Sequence, residues 1–338
     1  MRKHLWTYLL LLLFAVVGLT ACSKRSTSDQ TTVKIGYNYA VNSVGLAAIA
    51  QKAQYFKDQG LNVKLVKFSD GAAELAAMKS GSIDIAEVGP GVLGSITKGQ
   101  AQIVFFDGLS TSDQVIGDKA QGVSDIKSLK GKKVAVIQGT SSQMILDAAL
   151  KKAGMTESDV KIVSMSAATI NNALISGKVA AAATWAPGTS QITAKLGKQA
   201  VTLAKDADFT SNSPFPCSWV ATKSFVKQHS ALVKKFDTAM FKAMDYRYQG
   251  GKDAAKWIAQ VLAMDEKDVQ PMITSTEKLY SAKQVKQLIA NGTLAKYYQQ
   301  LQTNLINIGL ISADADLQKP ADYVETKLIK AAATAAAK

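Results

Sequence analysis

"LKGKKVAVIQGTSSQMILDAALKKAG" (residues 129–154) sets the grammar of the chain. Its first part, "KVAVI", is a short run of small and β-branched residues, which reads as a strand. "QGTSSQ" follows, rich in residues that turn the chain and cap helices. An apolar-periodic segment then runs to Gly154, a helix stop. The pattern repeats at once: "VKIVSM" (160–165) as a strand, "SAATINNALISGK" (166–178) as a helix and "VAAAATW" (179–185) as a strand. Strands separated by helices imply a parallel sheet with right-handed crossovers.

The same order appears nearer the amino end. "VKIGYNY" (33–39) is a strand and "NSVGLAAIAQKAQYFKDQG" (42–60) a helix started by Asn42 or Ser43. "LNVKLVKF" (61–68) alternates as a strand, and "SDGAAELAAMKSG" (69–81) is a helix opened by Ser69 or Asp70. "SIDIAEVG" (82–89) is the next strand, followed by "AQIVFFDGL" (101–109) and "VIGDKA" (115–120). After "QAVTLAKDAD" (199–208), the segment "PCSWVATKSFVKQH" (216–229) reads as a return into the first unit. Mostly helical sequence runs from about residue 228 to 310, and the tail "AAATAAAK" has no evident core to join and is expected to fray. The fold expected is α/β: two lobes, each a mainly parallel sheet flanked by helices, with a helical carboxyl-terminal segment. The first lobe is discontinuous (33–118 and 213–338) and the second spans 119–212. Two crossings between such lobes make a hinged clam with a cleft at the carboxyl ends of the strands.

The chain has 338 residues and a formal charge of +14. Lysine supplies nearly all of the positive charge, because Arg occurs only at positions 2, 25 and 247. No arginine cluster exists for bidentate recognition of nucleic acid. Arg2 and Lys3 precede a short apolar run that ends in "LTAC" (19–22). A basic start, a short apolar core and small residues before a cut site make a secretory signal (1–21) rather than a membrane span. The Ser/Thr-rich stretch that follows suits a flexible tether (22–32). Cys217 is then the only cysteine in the body, so no intramolecular disulfide is expected there. In "SPFPCSW" it reads as a packed small residue.

"GSIDIAEVGP", "LKGKKVAVIQGTSSQMILDAALKKAG", "ALISGKVAAAATWAP" and "WVATKSFVKQH" together resemble the substrate-binding proteins of ABC importers. The branch is the one for nitrate, taurine, alkanesulfonates and thiamine-related pyrimidines, of periplasmic-binding-protein type 2 fold. "LTAC" resembles the lipobox of bacterial lipoproteins, in which Cys22 becomes the lipidated first residue. The resemblance implies an extracytoplasmic, membrane-anchored monomer that captures a small solute between two lobes and delivers it to a membrane permease. It implies no cofactor and no metal. The expected solute is a small anion or zwitterion of sulfonate, taurine or nitrate type; a thiamine-related pyrimidine or other nitrogenous solute is the alternative.

Helix amino termini aimed at a cleft expose N–H groups and partial positive charge, which suits an anion. Three are written here: Asn42–Ser43, Ser69–Asp70–Gly71 and Thr140–Ser141–Ser142. The resemblance places ligand loops at Thr140–Ser142 and at "EVGP", which carries Glu87 and Gly89. Glu87 could hold a ligand ammonium or pair with a lysine, and Asp107 and Asp113 share that ambiguity. Trp185, Phe215 and Trp219 are candidate apolar walls. Related sequences often carry an acid between the matching Trp and Pro; Ala186 stands there instead. With so little arginine, an anion would rest on backbone N–H groups, hydroxyls and Lys.

"GPGVLG" (89–94) fits a dinucleotide fingerprint in spacing, but the segment after it is too short and glycine-broken to supply the helix such a motif needs. An extracellular enzyme of this fold is the competing class. His229 is the only histidine after the leader, it lies in an amphipathic pattern, and no metal spacing or G-x-S-x-G elbow appears. Replacing Cys22 by Ala should move the protein from the membrane fraction to the soluble fraction; unchanged retention in membranes would sink the lipid anchor.

Overall fold

The computed structural model describes residues 31–209, 214–313 and 316–337. The leader, Cys22 and the tether lie outside them. Thr32–Lys338 form one compact unit. Its strands in chain order are β1 (Thr31–Asn38), β2 (Leu61–Phe68), β3 (Ile85–Val88), β4 (Gln102–Ser110), β5 (Gln114–Asp118) and β6 (Lys133–Val136). They continue with β7 (Lys161–Ser164), β8 (Ala181–Thr184), β9 (Ala200–Lys205), β10 (Pro216–Ala221) and β11 (Glu277–Lys278). Two sheets result, with orders β11-β4-β10-β3-β1-β2 and β7-β6-β8-β5-β9.

Both sheets are mixed. In the first, β1 pairs parallel with β3, while β10 lies antiparallel between β3 and β4. In the second, β6 pairs parallel with β7 and β8, while β5 lies antiparallel between β8 and β9. The antiparallel members β5 and β10 are the strands reached as the chain crosses from one sheet to the other. The sequence reading puts "VIGDKA" in the first lobe, but β5 belongs to the second sheet. The crossing therefore lies between Ser110 and Gln114. A five-residue strand reads the same in either sheet, so only its pairing decides.

Burial follows the layering. β4 is buried at every position, as expected for a strand covered on both faces. β2, at the edge, alternates over its first four residues. The larger core joins the first sheet to the carboxyl-terminal helices. There the Phe105 and Phe241 rings meet at a tilt with centroids 4.6 Å apart, and those of Trp219 and Phe236 with centroids 5.6 Å apart. Helix Thr326–Ala336 buries Ile329, Ala332 and Ala333. The expectation that this tail frays is thus corrected: three small or apolar residues on one face find a partner in the core of the first sheet.

Helix starts are set by local hydrogen bonds. Helix Val41–Lys52 begins earlier than expected, with Ala40 as its cap and no side-chain capping bond. The Ser43 hydroxyl instead accepts the Asn38 N–H at 3.1 Å, tying the helix to the end of β1. Asp70 caps helix Gly71–Lys79 through the Ala73 N–H at 2.9 Å. Thr140 caps helix Ser141–Lys152: its Oγ1 accepts the Ser142 N–H at 3.2 Å and donates to the Ile137 carbonyl at 2.7 Å.

Arg247 is buried in the first core. It donates a hydrogen bond to Asp107 at 2.7 Å and forms an ion pair with Glu277 at 2.9 Å. Asp107 also accepts the Trp219 indole N–H at 3.0 Å. This joins β4, β10, β11 and helix Ser230–Tyr248 through charge. Removing one partner of such a buried group strands the others. Arg247→Met should therefore lower the unfolding free energy by about 3–5 kcal/mol at neutral pH. Burial already raises both acids above their unfolded values against the opposing guanidinium, so its removal raises them further. Stability held at low pH is then lost as pH rises. Urea unfolding across pH checks this, and a deficit that shrank with rising pH would contradict it.

Candidate functional site

A cleft between the two sheets encloses about 470 Å³ of empty space, part of it open to solvent. The first sheet contributes the end of β1 and the helix after it (Asn38, Ala40, Asn42, Ser43), with Glu87 of β3 and Cys217 of β10. Gly89, Pro90 and Gly91 follow β3 on the same side. The second sheet contributes Thr140 and Ser141 from the turn after β6, and Trp185 just after β8. Ser110, Ser112 and Asp113, from the crossing, form the floor between them.

Most of the expected ligand residues therefore meet here: Asn42, Ser43, Gly71, Glu87, Gly89, Thr140, Ser141 and Trp185 all line the cleft. Three are placed differently. Asp70 turns to its own helix as a cap. Ser142 is fully buried, donates to the Ala183 carbonyl at 2.6 Å and accepts the Ile137 N–H at 2.9 Å. Phe215 is fully buried in the first core. Asp107 and Trp219 are consumed by the Arg247 cluster. Cys217 packs, as expected, but its thiol also faces the cleft, where the Asn42 amide donates to it at 3.5 Å. Asn38, Ser110 and Ser112 also line the cleft, beyond the residues expected there. Asn38 carries the one available signal, as a polar residue at the carboxyl end of a strand.

The chemistry of the lining is acidic and neutral. Among the lining residues stand two carboxylic acids, Glu87 and Asp113, and no lysine, arginine or histidine. Glu87 is 2% exposed, and the Asn38 amide approaches its Oε2 at 3.5 Å. Burial pushes its pKa up to about 8; the Ser43 hydroxyl opposes the shift and nearby Asp107 adds to it. Burial pushes Asp113 up to about 6, opposed by the hydroxyls of Ser141 and Ser110. Asp113 Oδ2 accepts from Ser110 at 3.2 Å, and its backbone N–H donates to Asp206 at 3.1 Å. Burial and the neighbouring Asp113 raise Asp206 well above the usual carboxylate range. Burial and the surrounding acids also hold the Cys217 thiol neutral.

The two faces meet closely at one point. A Cβ built on Gly91 would collide with the backbone of Thr140 and Ser141. Among the described residues, no group of three or more His, Cys, Asp and Glu is placed to hold a metal ion. His229 is exposed, with its ring 4.8 Å from that of Phe225.

A family pattern described as NMT1/THI5 like matches residues 42–254. The chain belongs to the NMT1/THI5-like family. That match covers the second sheet, β2, β3, β4 and β10 of the first, and every lining residue named above except Asn38 and Ala40. A candidate binding protein of Brucella abortus is 28% identical over 307 residues, covering 91% of this chain and 94% of that protein. A candidate aliphatic sulfonates-binding protein of Bacillus subtilis is 27% identical over 286 residues, covering 80% of this chain and 83% of that protein. Among solved structures, the alkanesulfonate-binding protein SsuA from Xanthomonas axonopodis pv. citri, bound to MOPS, superposes with a TM-score of 0.65. It has 20% identity and covers 88% of this chain and 99% of SsuA. The fold is therefore the two-sheet α/β architecture of the periplasmic binding proteins.

Gly91→Ala should hold the turn after β6 away from the loop after β3. Amide hydrogen exchange over residues 139–145 is expected to quicken by roughly tenfold, with the circular dichroism spectrum unchanged. Equal exchange in the two proteins would show that this approach does not set the closure.

Proposed function

We propose that this protein is the extracytoplasmic solute-binding component of an ABC importer, and that its cargo is a small solute with a protonated amine. Family membership and the binding-protein relatives support the class. One observation carries the ligand reading: a cleft lined by two buried acids, Glu87 and Asp113, with no cationic side chain. A bare anion such as nitrate would meet two acids there and only backbone N–H groups and hydroxyls for support. A zwitterion of the taurine kind fits better. Its ammonium takes Glu87 and Asp113, and its anionic end takes the amino terminus of helix Ser141–Lys152. Closure of the two faces around the solute gives the form that docks on the permease. Cys22 anchors the protein at the membrane surface. The reading is capture and delivery, not catalysis.

A second ligand class has an observation of its own. With a pKa of about 8, Glu87 is mostly protonated at neutral pH. A protonated carboxyl can donate to a ring nitrogen and accept from an exocyclic amine at the same time, the pairing that an aminopyrimidine offers. Trp185 in the cleft wall would serve such a ring by stacking.

The two ligands give opposite pH dependences. An ammonium needs the Glu87 carboxylate, so a proton must leave before it binds. Taurine affinity should then fall as pH drops below about 8, by up to roughly tenfold per unit. A neutral aminopyrimidine that uses the protonated carboxyl should weaken as pH rises through the same value. Isothermal titration of taurine and of 4-aminopyrimidine into the body of the protein separates them. Glu87→Gln should cost taurine binding about tenfold or more and flatten its pH dependence. Taurine affinity that neither changes with pH nor responds to Glu87→Gln would remove the amine reading.

A further inference from the structure

A second cavity adjoins the cleft. It encloses about 590 Å³ of empty space, part of it open to solvent, and most of its wall is apolar. Tyr39, Phe68, Ala168, Trp185 and Pro187 supply that wall. The two cavities share three stretches of chain. At the end of β1, Asn38 and Ala40 face the cleft while Tyr39, between them, faces the annex. At the end of β2, Gly71 faces the cleft while Phe68 and Ser69 face the annex. Trp185 borders both. An indole shared by an acidic cleft and an apolar annex is the boundary between two parts of one site.

The annex has two features beyond apolar area. Asn171 donates to Gln191 at 3.2 Å, but its Oδ1 is buried and accepts no hydrogen bond. Gly188 makes room for it, since a Cβ there would fall 2.7 Å from the Asn171 amide. Lys67 roofs the annex, with its ammonium 4.2 Å from the centre of the Tyr39 ring. It is the one cationic side chain among the lining residues of the two cavities.

We propose that the annex is a second subsite, and that the natural solute is larger than a two-carbon amine: a polar head in the cleft and an aromatic or alkyl tail against Trp185 and Phe68. The assignment of the head rests on the amine reading above; the annex itself does not. Continuity of the walls commits the annex to the tail of the same solute rather than to a separate ligand. Specificity between short and long relatives of one head group is then set by residues 39, 68 and 185, outside the cleft's acids.

The test uses the body of the protein with ethylamine, 2-phenylethylamine and benzyl alcohol as probes. Ala168 is exposed at the start of helix Ala167–Ile175, so Ala168→Trp can fill the annex without entering the core. By titration calorimetry, 2-phenylethylamine should bind at least about tenfold more tightly than ethylamine, from the apolar area its ring buries. Ala168→Trp should reduce that gain to less than about threefold and leave ethylamine unchanged. Equal affinities, or a gain that survives Ala168→Trp, would overturn the subsite. Benzyl alcohol tests the annex without any amine. It should shift the Trp185 indole N–H resonance, assigned with Trp185→Phe, and the shift should vanish in Ala168→Trp. If neither amine binds while benzyl alcohol behaves so, the amine reading fails and the subsite stands. If benzyl alcohol leaves the Trp185 resonance unmoved, the subsite fails whatever the amines do.

Discussion

Arg247 is the only arginine in the described part of the chain, and it is spent in the core. Its guanidinium meets Asp107 and Glu277 and is buried with them. One positive charge therefore faces two acids, while Glu87 lies near enough for Asp107 to raise its pKa. The region around β3, β4 and β10 is short of cation. Burial of unpaired carboxylates is expensive, so the protein meets the deficit with protons. That is why Glu87 is raised to about 8 and Glu277 well above its usual range, with burial as the first cause in each. A ligand that brings its own positive charge or its own hydrogen-bond donors meets a demand the fold leaves open.

The crossing between the sheets carries a second acid pair. Ser110 Oγ lies 3.2 Å from both Asp113 and Asp206. Asp206 also accepts the Asp113 N–H, so the end of β4, the start of β5 and the end of β9 are joined at the floor of the cleft. Buried like charges do not ionise together readily, which is why Asp113 adds to the rise that burial imposes on Asp206. The floor thus couples the geometry of the crossing to the charge inside the cleft. A cationic group arriving at Asp113 acts on the same residues that connect the two sheets.

The turn after β6 shows how local chemistry and tertiary contact divide one motif. Thr140 and Ser142 are occupied by the turn itself, bonding Ile137, Ala183 and each other. Ser141, between them, is left to face the cleft. The absence of a side chain at Gly91 lets the opposite loop reach this turn's backbone. The helix amino terminus is brought to the cleft by a glycine on the other sheet as much as by its own sequence.

Much of this was legible in the residues. Strand and helix alternation is a local property, fixed by side-chain period and by caps such as Asp70 and Thr140. The two sheets and the loops at the strand ends followed from it, and with them Asn42, Ser43, Glu87, Thr140, Ser141 and Trp185 as cleft residues. The remainder depended on pairing and packing between distant segments. The five residues of β5 carry no mark of which sheet they join. The alanine-rich tail looks partnerless until the first core receives Ile329, Ala332 and Ala333. Asp107 and Glu87 are both acids on buried strands. Only the position of Arg247, 140 residues along the chain from Asp107, neutralises one and leaves the other facing the cleft. Sequence determines what each segment can form, because propensity and periodicity act over a few residues. Tertiary structure decides which charges are satisfied, because a counterion is a matter of distance in space.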